Sequence, residues 1–251
     1  ILTASATYSA SSYRTYASGN WLNQGGTFID NGGAVIFNGS GNQNFETGGT
    51  SSTQDFHRIV LEKTGGTLYL LSNVKTLENF EVRGSSAIDV QGRTMTIGND
   101  LMIYGTVTLL GGEPITYAGV LTNQGTVNYV GTSTYSSLLL GNRYTTVTFN
   151  NGGTWTHTGD LYVDDGLYIA ANTTLISQAG KNIKTRRVWS NLGTYTANGS
   201  TVEFDGFISE VYGSTTFYNL KKYAKVKNDW IIFYIGVADV ITINGHMEMY
   251  G

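Results

Sequence analysis

The sequence predicts an all-β protein built as an elongated parallel β-helix (β-solenoid), and three observations predict it. First, the chain repeats itself. WLNQGGTFIDNGGAVIFNG (Trp21 to Gly39) returns as WSNLGTYTANGSTVEFDG (Trp189 to Gly206), and a looser copy, VLTNQGTVNYVG, runs from Val120 to Gly131. Such self-similarity marks stacked units, each covering the apolar face of its neighbour. Second, short runs of Val, Ile, Thr, Tyr and Phe alternate in character between Gly and Asn, as in an all-β repeat. Third, no long segment carries apolar residues at i, i+3, i+4 and i+7 between caps, so helices are not expected.

Taken in order, strands are expected at Ala34 to Phe37, Arg58 to Leu61, Thr67 to Leu71, Ala87 to Val90, Thr94 to Ile97, Thr106 to Leu109, Thr126 to Tyr129, Thr145 to Phe149, Leu161 to Val163, Thr201 to Phe204, Trp230 to Tyr234 and Val240 to Ile243. The clearest stretch is Thr64 to Leu110. There Leu68, Leu70, Val74, Leu77, Phe80, Val82, Ile88, Val90, Met95, Ile97, Leu101, Ile103, Val107 and Leu109 form the expected inward ladder, with Thr67, Thr94, Thr96 and Thr106 facing water. Stacked strands lie about 4.8 Å apart, so equivalent residues of successive coils touch. Coils of roughly 20 residues give about twelve coils. Residues 1–17, rich in Ser, Ala, Thr and Tyr, read as an N-terminal arm or cap. Residues 18–251 read as one solenoid with degenerate repeats starting near 21, 120 and 189.

Asn-Gly steps begin at Asn31, Asn38, Asn151, Asn198 and Asn244. Both residues tolerate positive φ. Between alternating runs this dipeptide is also the strongest short hairpin signal, so an antiparallel β-sandwich or meander stands as the alternative. The long-range repeat favours the solenoid.

Composition excludes several function classes. Charged residues are 13% of the chain and the net charge is −3. The densest basic run, Lys184 to Arg187, is too short for the cationic footprint of nucleic-acid binding. No apolar run is long enough to span a membrane. Cysteine is absent, so there is neither a disulfide framework nor a thiolate metal site. With its Thr, Asn and Gly richness, this composition suits an extracellular protein. Ile1 reads as a processed terminus or the boundary of a piece, since neither an initiator Met nor a signal-peptide pattern precedes it.

Gly26-Thr27-Phe28, Val35 to Gly39, Phe56 to Leu61 and Lys63 to Thr67, echoed at Val202 to Gly206 and Thr216 to Leu220, resemble the Gly/Thr-rich β-strand repeats of large secreted bacterial cell-surface proteins of the adhesin kind. The resemblance covers about two thirds of the chain, at the level of a compositional repeat. It implies a right-handed β-helix on the cell surface and no catalytic residues. The chain has fewer repeats than those proteins and no recognisable sorting domain.

Solenoid ends present unpaired strand edges. VITINGHMEMYG at the C-terminus carries no polar cap. At the N-terminus, Ile1, Leu2, Tyr8, Tyr13 and Tyr16 are candidates for self-assembly by strand addition to a neighbouring copy, giving a head-to-tail filament. The expected function is therefore an extracellular structural protein, the subunit of a surface filament or adhesin shaft. Two alternatives are a polysaccharide-binding module and a β-helical polysaccharide lyase or glycosidase.

The remaining candidates are chemical. Asp160, Asp164 and Asp165 form the only acidic cluster in the sequence; a solvated turn is expected there and no metal or cofactor is expected, with Ca²⁺ ligation by the three as the alternative. His57, His157 and His246 lack zinc spacing. Asp55 and His57 share a strand face and could pair. A glycosidase would need two carboxylates at a fixed separation, from Asp160, Asp164, Asp165, Glu203 and Asp205. A lyase would add a cation from Lys181, Arg186 and Arg187. The expected mark of either enzyme is a groove where carboxylates and a cation converge. Trp21 and Trp189, at equivalent repeat positions, are expected in a shared packing role. Trp155 and Trp230 are freer to stack on sugars. Asn38, Asn172 and Asn198 open N-x-Ser/Thr sequons and are glycosylation candidates.

Overall fold

The structure, a computed structural model, describes residues 1–226 and 229–250. Residues 227, 228 and 251, included in the expected solenoid span, lie outside the described residues. The chain is all-β, with parallel strands stacked in a β-solenoid of about 12 turns and no α-helix among the described residues. It divides into two compact units, Ile1–Thr126 and Val127–Gly251.

In the first unit each turn contributes to three faces. One face stacks Leu2–Thr3, Trp21–Gln24, Gln43–Glu46, Thr67–Leu70, Ala87–Asp89 and Thr106–Leu109. A second stacks Arg14–Ala17, Ala34–Phe37, Arg58–Leu61, Phe80–Val82, Leu101–Ile103 and Leu121–Asn123. The third includes Val74–Thr76, Met95–Ile97 and Ile115–Tyr117. These strands pair in parallel: Phe80 pairs with both Ile59 and Leu101, and Ile88 with both Leu68 and Val107. Because the side-chain period is two and the strands are in register, apolar side chains stack on their equivalents one turn away. The expected inward ladder is buried apart from Leu77, which is 47% exposed. There the strand ends at Thr76, which turns inward and donates its hydroxyl to Glu78 O at 2.9 Å, leaving Leu77 on the corner.

Residues 1–17 form the first turn of this unit. Leu2–Thr3, Thr7–Ser9 and Arg14–Ala17 pair in parallel with Trp21–Gln24, Thr27–Ile29 and Ala34–Phe37. The segment is bonded to its own chain and is not a free arm.

In the second unit, Arg143–Phe149 pairs with the long strand Leu161–Ile169. The next turn then splits: Asn182–Thr185 takes the first half of Leu161–Ile169 and Val188–Asn191 the second. Two columns follow. One stacks Thr201–Phe204, Asn219–Tyr223 and Met247–Tyr250, the other Ile208–Tyr212 and Trp230–Tyr234. A third face carries Thr134–Tyr135, Thr154–His157, Thr174–Ser177 and Thr194–Thr196.

The antiparallel alternative is corrected by this pairing: every ladder between named strands is parallel. Asn31-Gly32, Asn151-Gly152 and Asn198-Gly199 do have positive φ at both residues, the geometry of a hairpin turn. They serve as corners instead. The strand that leaves each corner pairs with the turn below rather than with the strand that entered. The Asn31 and Asn151 amides tie the corner down, donating to Ala10 O at 2.7 Å and Val130 O at 3.0 Å, each 21 residues back.

The repeated Gly-Thr step has a steric cause. A Cβ on Gly125 or Gly193 would collide with the carbonyl oxygen of Gly105 or Thr173 in the preceding turn, and one on Gly26 would lie 2.7 Å from Thr3 O.

Candidate functional site

The second unit carries a groove at a register shift between its longest strands. The register of Arg143–Phe149 with Leu161–Ile169 shifts between Tyr144 and Thr146, where the single Thr145 stands opposite both Asp164 and Asp165. Later turns break at the same place, at Arg186-Arg187 and at Asp205 to Phe207. One lobe of the groove, about 290 Å³, is lined by Arg143, Tyr162, Val163, Asp164, Lys184, Arg186, Asp205 and Lys225. A second lobe, about 460 Å³, is lined by Asp164, Arg186, Arg187, Gly206, Phe207, Ile208 and Glu210. Asp164 and Arg186 belong to both.

Most of the charges are paired. The Arg143 guanidinium grips Asp164 through Nε at 3.1 Å and Nη2 at 2.8 Å. Arg187 holds Asp165 at 2.8 Å. Lys184 lies 2.8 Å from Glu203 and 3.5 Å from Asp205, and Lys225 lies 3.6 Å from Asp205. The hydrogen bond to Glu203 raises the Lys184 pKa above the ordinary lysine value. Arg186 differs from the rest: its exposed guanidinium has no acidic partner among the described residues. Beside it the second lobe offers an apolar surface, with Phe207 57% and Ile208 40% exposed.

Next to the groove, strand register sets an outward column of Arg143, Tyr162, Lys184, Glu203, Lys221 and Glu248 on successive turns. Its last four members alternate in sign, and Lys221 meets Glu248 at 2.8 Å. Parallel in-register stacking would set like charges about 4.8 Å apart, so alternation is the arrangement that avoids repulsion.

The sequence candidates divide accordingly. Asp164, Asp205, Arg186 and Arg187 come together in the groove. Glu203 joins its edge through Lys184, and Asp165 through Arg187. Asp160 and Lys181 do not line either lobe. The three calcium candidates have separate partners. Asp164 and Asp165 are ion-paired, Asp160 Oδ1 accepts the Asn182 N–H at 2.9 Å, and no group of three or more acidic or histidine side chains that could hold a metal occurs among the described residues. Asp160 belongs to a recurrent device in which an Asn or Asp oxygen caps a backbone N–H one turn on. The pairs Asn79 with Asp100 and Asp100 with Val120 repeat it at 3.1 and 2.8 Å. Asp55 pairs with Lys75 at 2.5 Å rather than with His57.

Among the aromatics, Trp155 is corrected from a free surface candidate to a core residue, stacked on Tyr135 at 4.1 Å. Trp230 is exposed. Tyr8 stacks on Phe28 at 6.0 Å, while Ile1, Tyr13 and Tyr16 are exposed and Leu2 is half-buried. Asn38, Asn172 and Asn198 all stand exposed.

Two buried polar devices lay outside the sequence candidates. His157 is enclosed, with Nδ1 2.8 Å from Gly159 O and Nε2 2.6 Å from Ser177 Oγ. Tyr195 OH and Ser200 Oγ continue the chain at 2.8 Å each. A carbonyl only accepts, so Nδ1 carries the proton and Nε2 accepts from Ser177. Burial lowers the His157 pKa, and the neutral ring satisfies every partner. The second device is a pair of buried lysines. Lys63 Nζ donates to Gly39 O at 3.0 Å, Gly41 O at 2.9 Å and Gln43 Oε1 at 2.6 Å, and Lys222 Nζ donates to Gly206 O at 2.5 Å. Gly39 and Gly206 close equivalent repeats. For Lys222 the strand alternation at Asn219–Tyr223 was the available signal, since it turns Leu220 and Lys222 inward together.

No protein-family model, curated protein or solved structure matches this chain.

Proposed function

We propose that this chain is an extracellular structural protein of the bacterial surface-repeat kind, a non-enzymatic subunit that assembles with copies of itself by adding turn to turn. The observation that carries this reading is the parallel, in-register stacking of the turns, in which each turn covers the apolar side chains of its neighbour. Met247 and Met249 are 52% and 60% exposed, whereas Leu220 and Lys222, their register partners one turn below, are buried. Apolar side chains beside unpaired strand edges are satisfied by a further turn of matching register. In the first unit, Leu2–Thr3, Thr7–Ser9 and Arg14–Ala17 each pair on one side only. Since residues 1–17 are bonded to their own chain, strand addition here means edge meeting edge.

The non-enzymatic reading is supported by the ion pairs in the groove. Asp164 is gripped by Arg143 through both of its oxygens, which is not the unpaired setting that a general acid needs, while Asp205 meets Lys184 and Lys225 through Oδ2 alone and keeps a buried Oδ1 with no hydrogen-bond partner.

Sedimentation velocity and negative-stain microscopy across a concentration series test the assembly. Growth into end-to-end polymers that Met249→Glu suppresses is the expected result. A monomer at every concentration overturns the reading.

A further inference from the structure

We infer that the groove of the second unit is a binding site for an acidic polysaccharide whose sugar rings bear carboxylates. This inference is independent of self-assembly. The first lobe sets Arg143, Lys184, Arg186 and Lys225 against Asp164 and Asp205, an excess of cations in a chain whose net charge is −3. The paired cations are neutralised by the protein's own carboxylates. The uncompensated one, Arg186, sits where the two lobes meet, so an anion entering either lobe reaches it. A guanidinium takes a carboxylate through two parallel N–H donors, which fixes orientation as well as charge.

The apolar surface sets the rest of the ligand. Phe207 and Ile208 flank Arg186 in one lobe, and Tyr162, 43% exposed, lines the other. A ligand that satisfies both features has a carboxylate and an apolar ring face on the same unit, as a uronic acid sugar does. The groove also runs across turns: Arg143, Asp164 and Lys184 stand on three successive rungs, with Asp205 and Lys225 following the next two. At about 4.8 Å per rung the five span roughly 19 Å, which suits several linked sugars better than one. The grip of Arg143 on Asp164 points to binding without cleavage.

Titration of the full chain with a galacturonate tetrasaccharide, followed by calorimetry, tests the site. A neutral galactose oligosaccharide and a sulfated glycan of similar length are the comparison ligands. The uronate is expected to bind with an affinity that falls as salt rises, and the neutral chain is not. Arg186→Ala is expected to weaken the uronate about ten- to a hundredfold, as for loss of a charge-assisted hydrogen-bonded pair. Phe207→Ala weakens it less, and Lys181→Ala, which removes the same charge outside the groove, leaves it unchanged. Thermal melts confirm that each variant folds. Absence of uronate binding, equal losses in Arg186→Ala and Lys181→Ala, or tighter binding of the sulfated or neutral glycan overturns the proposal.

Discussion

Trp189 meets Tyr195 edge-on, with ring centroids 4.8 Å apart and planes at 79°, and Trp21 meets Phe28 at 5.0 Å and 87°. The third ring of each cluster also corresponds. Trp189 lies 5.4 Å from Phe217, and Trp21 lies 5.5 Å from Phe56. The two repeats thus preserve a packing motif as well as a string of letters, and its members follow the Trp, Gly-Thr-aromatic and Phe landmarks of the sequence.

Trp189→Ala is expected to destabilise the protein by about 3–5 kcal/mol, the cost of emptying a large aromatic site in a packed core. Trp189 is fully buried and its Nε1 donates to Thr215 Oγ1 at 3.1 Å. Trp21 is half-buried, so Trp21→Ala costs less. Denaturant melts of the two variants measure the difference.

Gly193→Ala drives a Cβ into the carbonyl oxygens of Ala170 and Thr173 and is expected to cost about 1–3 kcal/mol through overpacking. Gly19 has open space at the same position, and Gly19→Ala is expected to stay within about 0.5 kcal/mol of the parent. Equal melting temperatures for the two variants contradict the steric account of the Gly-Thr step.

Replacing Lys63 by Met leaves the carbonyls of Gly39 and Gly41 and the Gln43 Oε1 without its ammonium. The expected loss is about 1–3 kcal/mol. Lys181→Met, at a half-buried position without a hydrogen-bonded side chain, serves as the control and is expected to change little.

His157 makes stability depend on pH in a defined direction. Its folded-state pKa lies below the ordinary histidine value of 6.5 because the ring is buried. Between those two values the unfolded chain binds the proton and the folded chain does not. The contribution is therefore fully present above about pH 6.5 and is lost as pH falls toward the folded-state pKa, with a slope of at most about 1.4 kcal/mol per pH unit. His157→Gln, whose amide can bridge Gly159 and Ser177, is expected to flatten the slope relative to the parent in urea melts from pH 7.5 to 5.

Glu203→Lys sets three lysines on consecutive rungs, between Lys184 and Lys221. The expected loss is about 1 kcal/mol at low salt, since exposed pairs contribute little, and it shrinks as salt screens the column. A loss that is independent of salt argues for a packing effect instead.

By itself, the sequence determined the strand content, the stacked repeat and most of the inward ladder. These features follow from a two-residue side-chain period and from like residues recurring at a fixed spacing, both readable along the chain. It also placed the densest basic run, Lys184 to Arg187, where the groove later took it. Tertiary structure decided what depends on partners distant in sequence. Asn-Gly at Asn31, Asn151 and Asn198 has the same local geometry in a hairpin and in a solenoid corner, and only the turn below selects the corner. Asp160, Asp164 and Asp165 look like one cluster in sequence, but strand pairing gives them to Asn182, Arg143 and Arg187. The alternation of Thr154–His157 puts Trp155 and His157 on one face, but only Tyr135, Ser177 and Tyr195 from neighbouring turns make that face the enclosed one. Local conformation constrains which turns are possible, and hydrogen bonding between coils chooses among them.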